Sequence, residues 1–401
     1  SRFAASKRWG NFWSVGASWR LSEEKFMQGI DWLNGLTLKF SYGVQGNNSV
    51  GSYYAYQALY DLSSPNATLP GATINDVANA DLTWESNNNL NTGLEARLFN
   101  RLDLSFEFYN RKTTDMLLAY PLPASSGFSS YYRNSGEMRN RGIEFALTGY
   151  IFDKDDLQWS VTWMGSTVNN KVLKLTDDGK DIIGGSQIIR VGETLYSYYV
   201  ARSAGVDPMT GLKMYWAKDK DGNDYITTST SKAQENRVIV GSRIPDLYGS
   251  LSTSFRWKNI DLAVSTNYSI GGKTNDGVYQ EFMGCYYVAE AKHKDILRAW
   301  RKPGDITDVP RYEIGDVPIV TDDKLIDASY FSIKNITLGY TLPKLWTSKI
   351  GFKSARIAAS VDNLWIFTHL KGMDPQYSLT GGTSYVYAPT RTVSFSLALK
   401  F

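Results

Sequence analysis

The chain has 401 residues, with 43 Lys and Arg against 40 Asp and Glu and a formal charge of +3, a balance without the basic or acidic excess that nucleic-acid binding or polyanion capture would need. Its single cysteine, Cys285, excludes an internal disulfide framework, and its two histidines, His293 and His369, stand far apart with no ligand pattern around them, so neither a metal nor a cofactor is expected. No apolar run reaches the length of a membrane-spanning helix, which leaves open a transmembrane barrel, whose signal is alternation instead.

The opening SRFAASKRWGNFW has basic residues but no continuous apolar core or small-residue cleavage site, so the expectation is either a cytoplasmic protein or a sequence that starts inside a longer one. Alternation then begins and recurs. Trp13, Val15, Ala17 and Trp19 oppose Ser14, Gly16, Ser18 and Arg20; Leu36, Leu38, Phe40, Tyr42 and Val44 oppose Thr37, Lys39, Ser41 and Gly43. Each set reads as one apolar and one polar face of a strand. Leu94, Ala96 and Leu98 lead through FNR to Leu102, Leu104, Phe106 and Phe108, a hairpin. Further strands carry Ile143, Phe145 and Leu147, then Trp159, Val161 and Trp163. Leu247, Leu251, Phe255 and Trp257 follow, and after WKN the chain returns with Ile260, Leu262, Val264 and Tyr268. Ile336, Leu338 and Tyr340 make another strand, Ala355, Ile357, Ala359 and Val361 one more, and Val393, Phe395, Leu397, Leu399 and Phe401 end the chain on the same pattern. The expectation is all-β, about eleven strands, with an extra hairpin between Leu195 and Trp216.

Connection lengths separate a barrel from a soluble sandwich, which alternates in the same way. FNR, Phe152 to Asp156, WKN and Pro343 to Gly351 are short; Gly46 to Leu82, Thr113 to Glu137, Val172 to Pro245, Gly271 to Ala328 and His369 to Ala388 are long. Tight turns on one side and large loops on the other are how outer-membrane barrels are built. Trp19, Trp257, Tyr268, Tyr340 and Phe401 fall near strand ends, where an aromatic girdle would sit. Asp103, Glu107, Glu144 and Asp261 fall on polar faces and are expected to line a wet lumen.

Among short motifs, Asp219 to Asp224 (DKDGND) has carboxylates at alternate positions but departs from a calcium loop at its sixth and twelfth places, Asp224 and Thr230, and reads as a hairpin turn. Ile270 to Lys273 (IGGK) lacks the strand-loop-helix setting of a phosphate cradle. No catalytic set is singled out. Ligand-contact candidates are the loop groups Tyr53, Tyr54, Tyr131, Tyr132, Arg133, Tyr286, Tyr287, Trp300, Arg301 and Tyr385, flat rings and cations suited to stacking on sugars or gripping a peptide, or to packing loop on loop. Cys285 to Trp300 is read as the one stretch of helical character in the loops.

Several stretches together resemble the SusC/RagA-like family of TonB-linked outer-membrane transporters: RWGNFWSVGASWRLSEE, LKFSYGVQGN, LTWESNNNLNTGLE, DLSFEFYNRKTTDMLL, PLPASSGFSSYYRNSGEMRNRGIEFAL, VGETLYSYYVARSAGVDPMTG, LIDASYFSIKNITLGYTLP and SARIAASVDNLWIFTHLKGMDPQ, with the terminal strand. The resemblance implies that residues 1–401 are the C-terminal half of a barrel of about 22 strands, without its plug, TonB-contacting segment or first half. An odd strand count agrees with a partial barrel, since a barrel chain starting in the periplasm begins by ascending. The resemblance further implies a multi-pass outer-membrane protein, not an enzyme, that imports an oligosaccharide or peptide. Its partners would be TonB, outer-membrane lipid and a SusD-like lipoprotein over the extracellular mouth. Phe401 resembles the terminal aromatic of a barrel-assembly signal. Two other readings use the same alternation: a passive porin, and a soluble β-rich glycan-binding protein or glycosidase.

Overall fold

The computed structural model describes residues 2–63, 69, 71–175, 179–284, 291–314, 319–377 and 387–401. Of the residues named above, Cys285, Tyr286, Tyr287 and Tyr385 lie outside these. The chain forms two compact units, Ser1–Leu147 with Val168–Ile182 and Ile189–Leu195, and Thr148–Thr167 with Ile183–Ile188 and Tyr196–Phe401.

The first unit is an antiparallel sheet of β1 (Trp13–Arg20), β2 (Leu33–Asn47), β3 (Glu85–Leu98), β4 (Leu102–Thr114) and the first part of β5 (Glu137–Lys154), hydrogen-bonded in chain order. The second continues from β5 through β6 (Leu157–Thr167), β7 (Leu247–Trp257), β8 (Ile260–Ile270), β9 (Tyr330–Thr341), β10 (Ser354–Thr368) and β11 (Thr392–Lys400), again in chain order. These are the eleven strands of the sheet path among the described residues, in the number expected. A further short strand, Asn169–Lys174, pairs with β5 beside that path.

Register shows what the alternation is for. In the second unit one row across the strands reads Val161, Thr253, Val264, Ile336, Val361, Val393, and the next on the same face Trp159, Phe255, Leu262, Leu338, Ala359, Phe395. Thr253 keeps its place in an apolar row because its hydroxyl donates to the Ser160 carbonyl at 3.0 Å and accepts from the Trp159 indole at 2.9 Å. The rows between are polar or small: Ser160, Ser254, Ala263, Thr337, Ser360, Ser394. The first unit repeats the scheme, with Trp19, Leu38, Leu94 and Phe106 in one row and Ser18, Lys39, Gly93 and Glu107 in an alternate one. Because the side-chain period is two, a slip of one residue would invert every row.

Among the described residues, no second sheet covers the apolar face of either unit. Phe395 is 81% exposed and Leu397 62%, whereas a water-soluble sandwich would bury such a face in its core. Buried clusters are small and sit among the connections: Phe3, Val50, Ala55 and Leu82 in the first unit, Ala201, Tyr215 and Ala233 in the second.

Glycine is required where the faces carry something flat or charged. A Cβ on Gly249 would stand 2.0 Å from the Met164 carbonyl oxygen and 2.8 Å from the Tyr268 hydroxyl, which lies across it. On the polar face, Arg356 reaches over Gly339 to Asp261, its Nε donating at 3.0 Å, and a side chain at 339 would sit in the middle of that pair.

Short and long connections alternate in both units. Phe99 to Arg101, Asp155 to Asp156 and Lys258 to Asn259 are tight turns, whereas β2 to β3, β6 to β7 and β8 to β9 are joined by long segments. The expected extra hairpin is present as Arg202–Val206 paired with Lys213–Lys218, extended by Asp224–Thr227. DKDGND is the turn between the last two of these strands, with Asp219 accepting from the amides of Asp221 and Asn223. The reading of Cys285 to Trp300 as the one helical stretch is corrected. Its described part holds a 3-10 turn, Lys294–Arg298, and the α-helices among the described residues are α1 (Thr230–Glu235), α2 (Gly277–Met283) and α3 (Lys344–Thr347). Each is shorter than the window over which helical periodicity is legible, and the caps of α1 and α2, Ser229 and Asp276, were its remaining signal.

Candidate functional site

In the first unit the loop tyrosines divide by strand parity. Leu117–Pro121 and Ser130–Asn134 form a hairpin in which Tyr120 faces Tyr131, ring centroids 5.9 Å apart edge to face, and the Arg133 guanidinium lies 5.0 Å from the Tyr120 ring centre. Tyr132, one residue out of phase, turns the other way and packs on the Phe3, Val50, Ala55, Leu82 cluster. Its hydroxyl fills the space beside Gly51, and its carbonyl accepts from Asn79 at 2.8 Å. Tyr132 therefore builds the loop, while Tyr131 and Arg133 form an aromatic and cationic surface upon it. Tyr120 belongs to that surface and was missed; the alternation of LLAYP against SYYRN was the available signal. Tyr53 and Tyr54 are exposed on the β2 to β3 connection, with Arg2 4.5 Å over the Tyr53 ring.

In the second unit Trp300 acts as a pin. Its indole nitrogen donates to the Pro208 carbonyl at 2.9 Å, and its ring lies where a Cβ on Gly211 (φ +73°) would be 2.5 Å away. Gly304 donates to Pro208 and Arg311 to Gly211, both at 2.8 Å, so the Asp207 to Gly211 turn is clasped along its length. Arg301 is spent locally, its guanidinium on the Leu297 carbonyl and its amide on Asp305.

A latch missed in the sequence lies nearby. Asp276, fully buried at the start of α2, accepts from the amides of Tyr279, Lys371 and Gly372 at 3.1, 2.8 and 2.7 Å. Lys371 donates to Asp295 at 2.7 Å and stands 4.9 Å over the Tyr279 ring, and the Tyr279 hydroxyl donates to the same carboxylate at 2.7 Å. These two donors hold Asp295 well below the usual carboxylate range, and Asp295 raises Lys371 above the usual lysine value. Beside the latch is a small cavity of about 100 Å³ lined by Lys213, Tyr215, Tyr279, Ile296 and Lys324. Lys213 is paired with Asp323 at 2.6 Å, and burial pushes Lys324 below its ordinary value.

The polar face of each unit carries side-chain hydrogen bonds and ion pairs. In the first unit Arg111 donates to Asn89 at 2.7 Å, Asn89 to Gln45 at 3.3 Å, Thr113 to Asn87 at 2.7 Å, and Lys39 pairs with Glu95. In the second, Asn335 donates to Asp362 at 2.7 Å and Arg356 to Asp261. Asp103, Glu107 and Asp261 stand in these polar rows, as the alternation predicts. Phe401 is exposed at the end of β11 with its ring 5.0 Å from Phe352.

A family model described as TonB dependent receptor-like, beta-barrel matches residues 1–364. TonB-dependent receptor P3 of Formosa agariphila is 31% identical over 443 residues, covering 100% of this chain and 43% of that protein. TonB-dependent receptor SusC of Bacteroides thetaiotaomicron is 27% identical over 427 residues, covering 100% of this chain and 41% of its own length. The solved RagAB peptide transporter superposes with a TM-score of 0.88 at 31% identity, over 100% of this chain and 44% of that one. The chain thus spans less than half the length of the relatives it matches, as a partial barrel. The uncovered apolar face, the alternating connections and these likenesses agree: the chain belongs to the TonB-dependent receptor-like β-barrel family.

Proposed function

We propose that the complete protein carrying this chain imports an oligosaccharide or peptide across the outer membrane, driven through TonB. The chain supplies the C-terminal part of a larger barrel, and a SusD-like surface lipoprotein closes its extracellular mouth. The observation that carries the reading is the pairing of faces, with apolar rows that need hydrocarbon outside and polar rows such as Ser160 to Ser394 that keep a hydrated path inside. The face bearing Asp103, Glu107 and Asp261 lines that path. RagAB, named as a peptide transporter, supports the peptide alternative, and SusC, named as a TonB-dependent receptor, supports the coupling to TonB. The reaction is passage and release; no covalent step is assigned.

Ligand contact falls to the loop groups, Tyr53 and Tyr54 exposed and Tyr120, Tyr131 and Arg133 half-buried. Tyr131, Arg133 and Tyr120 offer rings and a guanidinium on one surface, with Tyr53 and Tyr54 beside the same unit's loops. Phe401 serves as a belt aromatic at the end of β11. The test is uptake of labelled oligosaccharides and peptides by cells expressing the complete protein, with and without TonB. Uptake should vanish without TonB, and uptake that persists unchanged identifies a passive porin. In the same cells, replacing Tyr131 and Arg133 together by Ala should weaken ligand binding by about tenfold or more, an energy of about 1.4 kcal/mol; unchanged affinity removes these residues from the ligand site.

A further inference from the structure

The cavity beside the Asp276 latch is built by segments of the second unit's long connections, each tied down through its backbone. Lys213 and Tyr215 share one face of the strand Lys213–Lys218. Tyr279 and Met283 stand one turn apart on α2. The wall from Val309 to Arg311 is held at both ends, the Val309 carbonyl accepting from the Trp300 amide at 3.1 Å and the Arg311 amide donating to the Gly211 carbonyl at 2.8 Å. Lys324 closes the 3-10 turn Asp322–Lys324, its amide donating to the Thr321 carbonyl at 3.0 Å and its carbonyl accepting from the Gln280 side chain at 3.4 Å.

The charges lining this cavity do not balance. Lys213, Arg311 and Lys324 line it, and among the described residues no carboxylate does. Lys213 is neutralised by Asp323 and Arg311 by Glu313, the latter at 2.7 Å. The Lys324 ammonium has no ion pair or hydrogen bond among the described residues. Carboxylates nearby are engaged elsewhere: Asp323 also accepts from the Thr321 hydroxyl, Asp295 accepts from Lys371 and Tyr279, and Asp308 pairs with Arg298 at 3.3 Å. A cation withdrawn from water without a counter-charge is costly, which is why burial pushes Lys324 below its ordinary value. In a cavity, that imbalance marks a place for opposite charge on a ligand.

We infer that this cavity is a subsite for one acidic side chain, Asp or Glu, of a peptide ligand, with Lys324 as the ion partner of its carboxylate and Met283, Ile296 and Val309 packing its methylenes. The inference rests on the import reading above and names the ligand class. Its position agrees, because the β6 to β7 and β8 to β9 connections that build it are long ones, and in such barrels these lie on the extracellular side, where ligand arrives. Size selects a side chain over an acidic sugar. An apolar cavity of about 150 Å³ holds a benzene ring, so one of about 100 Å³ takes a carboxylate with its methylenes and excludes a six-membered sugar ring. One unpaired cation matches one carboxylate, with a charge-assisted hydrogen bond between them.

The experiment is peptide binding to the complete protein, extracted from its native membrane in mild detergent. The probes are two pools of short fluorescent peptides of neutral residues with amidated C-termini; one pool carries a single Glu, at any position, and the other Gln in its place. The Glu pool should bind about tenfold or more tightly than the Gln pool. Lys324→Met should bring the Glu pool down to the level of the Gln pool and leave the Gln pool unchanged, while Lys324→Arg keeps most of the preference. Lys302→Met removes an exposed cation that does not line the cavity and should leave the preference intact. Equal binding of the two pools, a preference that survives Lys324→Met, a fall of both pools alike in that variant, an equal loss in Lys302→Met, or stronger competition by a galacturonic acid trimer than by unlabelled Glu peptides would each overturn the inference. Uptake by cells separates it from the parent reading: TonB-dependent entry of the Gln pool or of a neutral oligosaccharide, with no preference for Glu, fails this subsite alone, whereas absence of any TonB-dependent entry fails both.

Discussion

Asp276 shows how much one side chain can hold. It is fully buried, and its carboxylate accepts three backbone amides, two of which lie beyond β10, at Lys371 and Gly372. Removing it leaves donors facing a space too crowded for ready hydration, since even a Cβ on Gly372 would be 2.5 Å from the Tyr279 nitrogen. At about 1–3 kcal/mol for each buried donor left unsatisfied, Asp276→Ala should cost on the order of 3 kcal/mol in local stability. The measurement is amide hydrogen exchange, with protection at Tyr279, Lys371 and Gly372 falling together in the variant. Protection lost at only one of them would mean that the three are not joined through this carboxylate.

The connection that carries Lys371 behaves as an element with its own ionic fastening. Asp295 titrates below its ordinary range because Lys371 and Tyr279 donate to it, so its contribution is present above the ordinary carboxylate pKa and is lost as pH falls through the depressed value. Lys371 titrates above its ordinary value because of Asp295, so its contribution is present below the ordinary lysine pKa and is lost as pH rises through the raised value. Proteolytic resistance of the segment from Lys371 to Pro375 should therefore be flat across neutral pH, weaken only in strong acid or strong base, and lose its acid limb in Asp295→Asn. A midpoint near neutrality would contradict a fastening made by Asp295 and Lys371. How legible such features were in the sequence follows from their range. The strands were readable because alternation is local, and β9 was read only from Ile336 because the bulge at Lys334 shifts the pattern, leaving Phe331 and Ile333 out of phase. Trp300 and its partner Pro208, or Asp276 and Lys371, are distant in sequence and leave no periodic trace. Tyr132 was grouped with Tyr131 and Arg133 as a ligand candidate because composition does not register that neighbours in a strand face opposite ways.

At the scale of the molecule, each unit repeats one rule among the described residues, an apolar face without a covering layer and a polar face knitted by side-chain hydrogen bonds. The account stands or falls on which solvent meets which face. The direct measurement is cysteine labelling along β7 in the complete protein in its native membrane, with its native cysteines, Cys285 among them, first replaced by Ser. Single cysteines at Ser250, Ser252 and Ser254, which stand in polar rows, should react with a charged, water-soluble maleimide. Cysteines at Leu251, Thr253 and Phe255, in the apolar rows between, should react only with a lipid-soluble reagent. Labelling that alternates along the strand in this phase is the predicted result; uniform labelling of all six by the charged reagent, or alternation in the opposite phase, would contradict the membrane barrel and the import reading built on it.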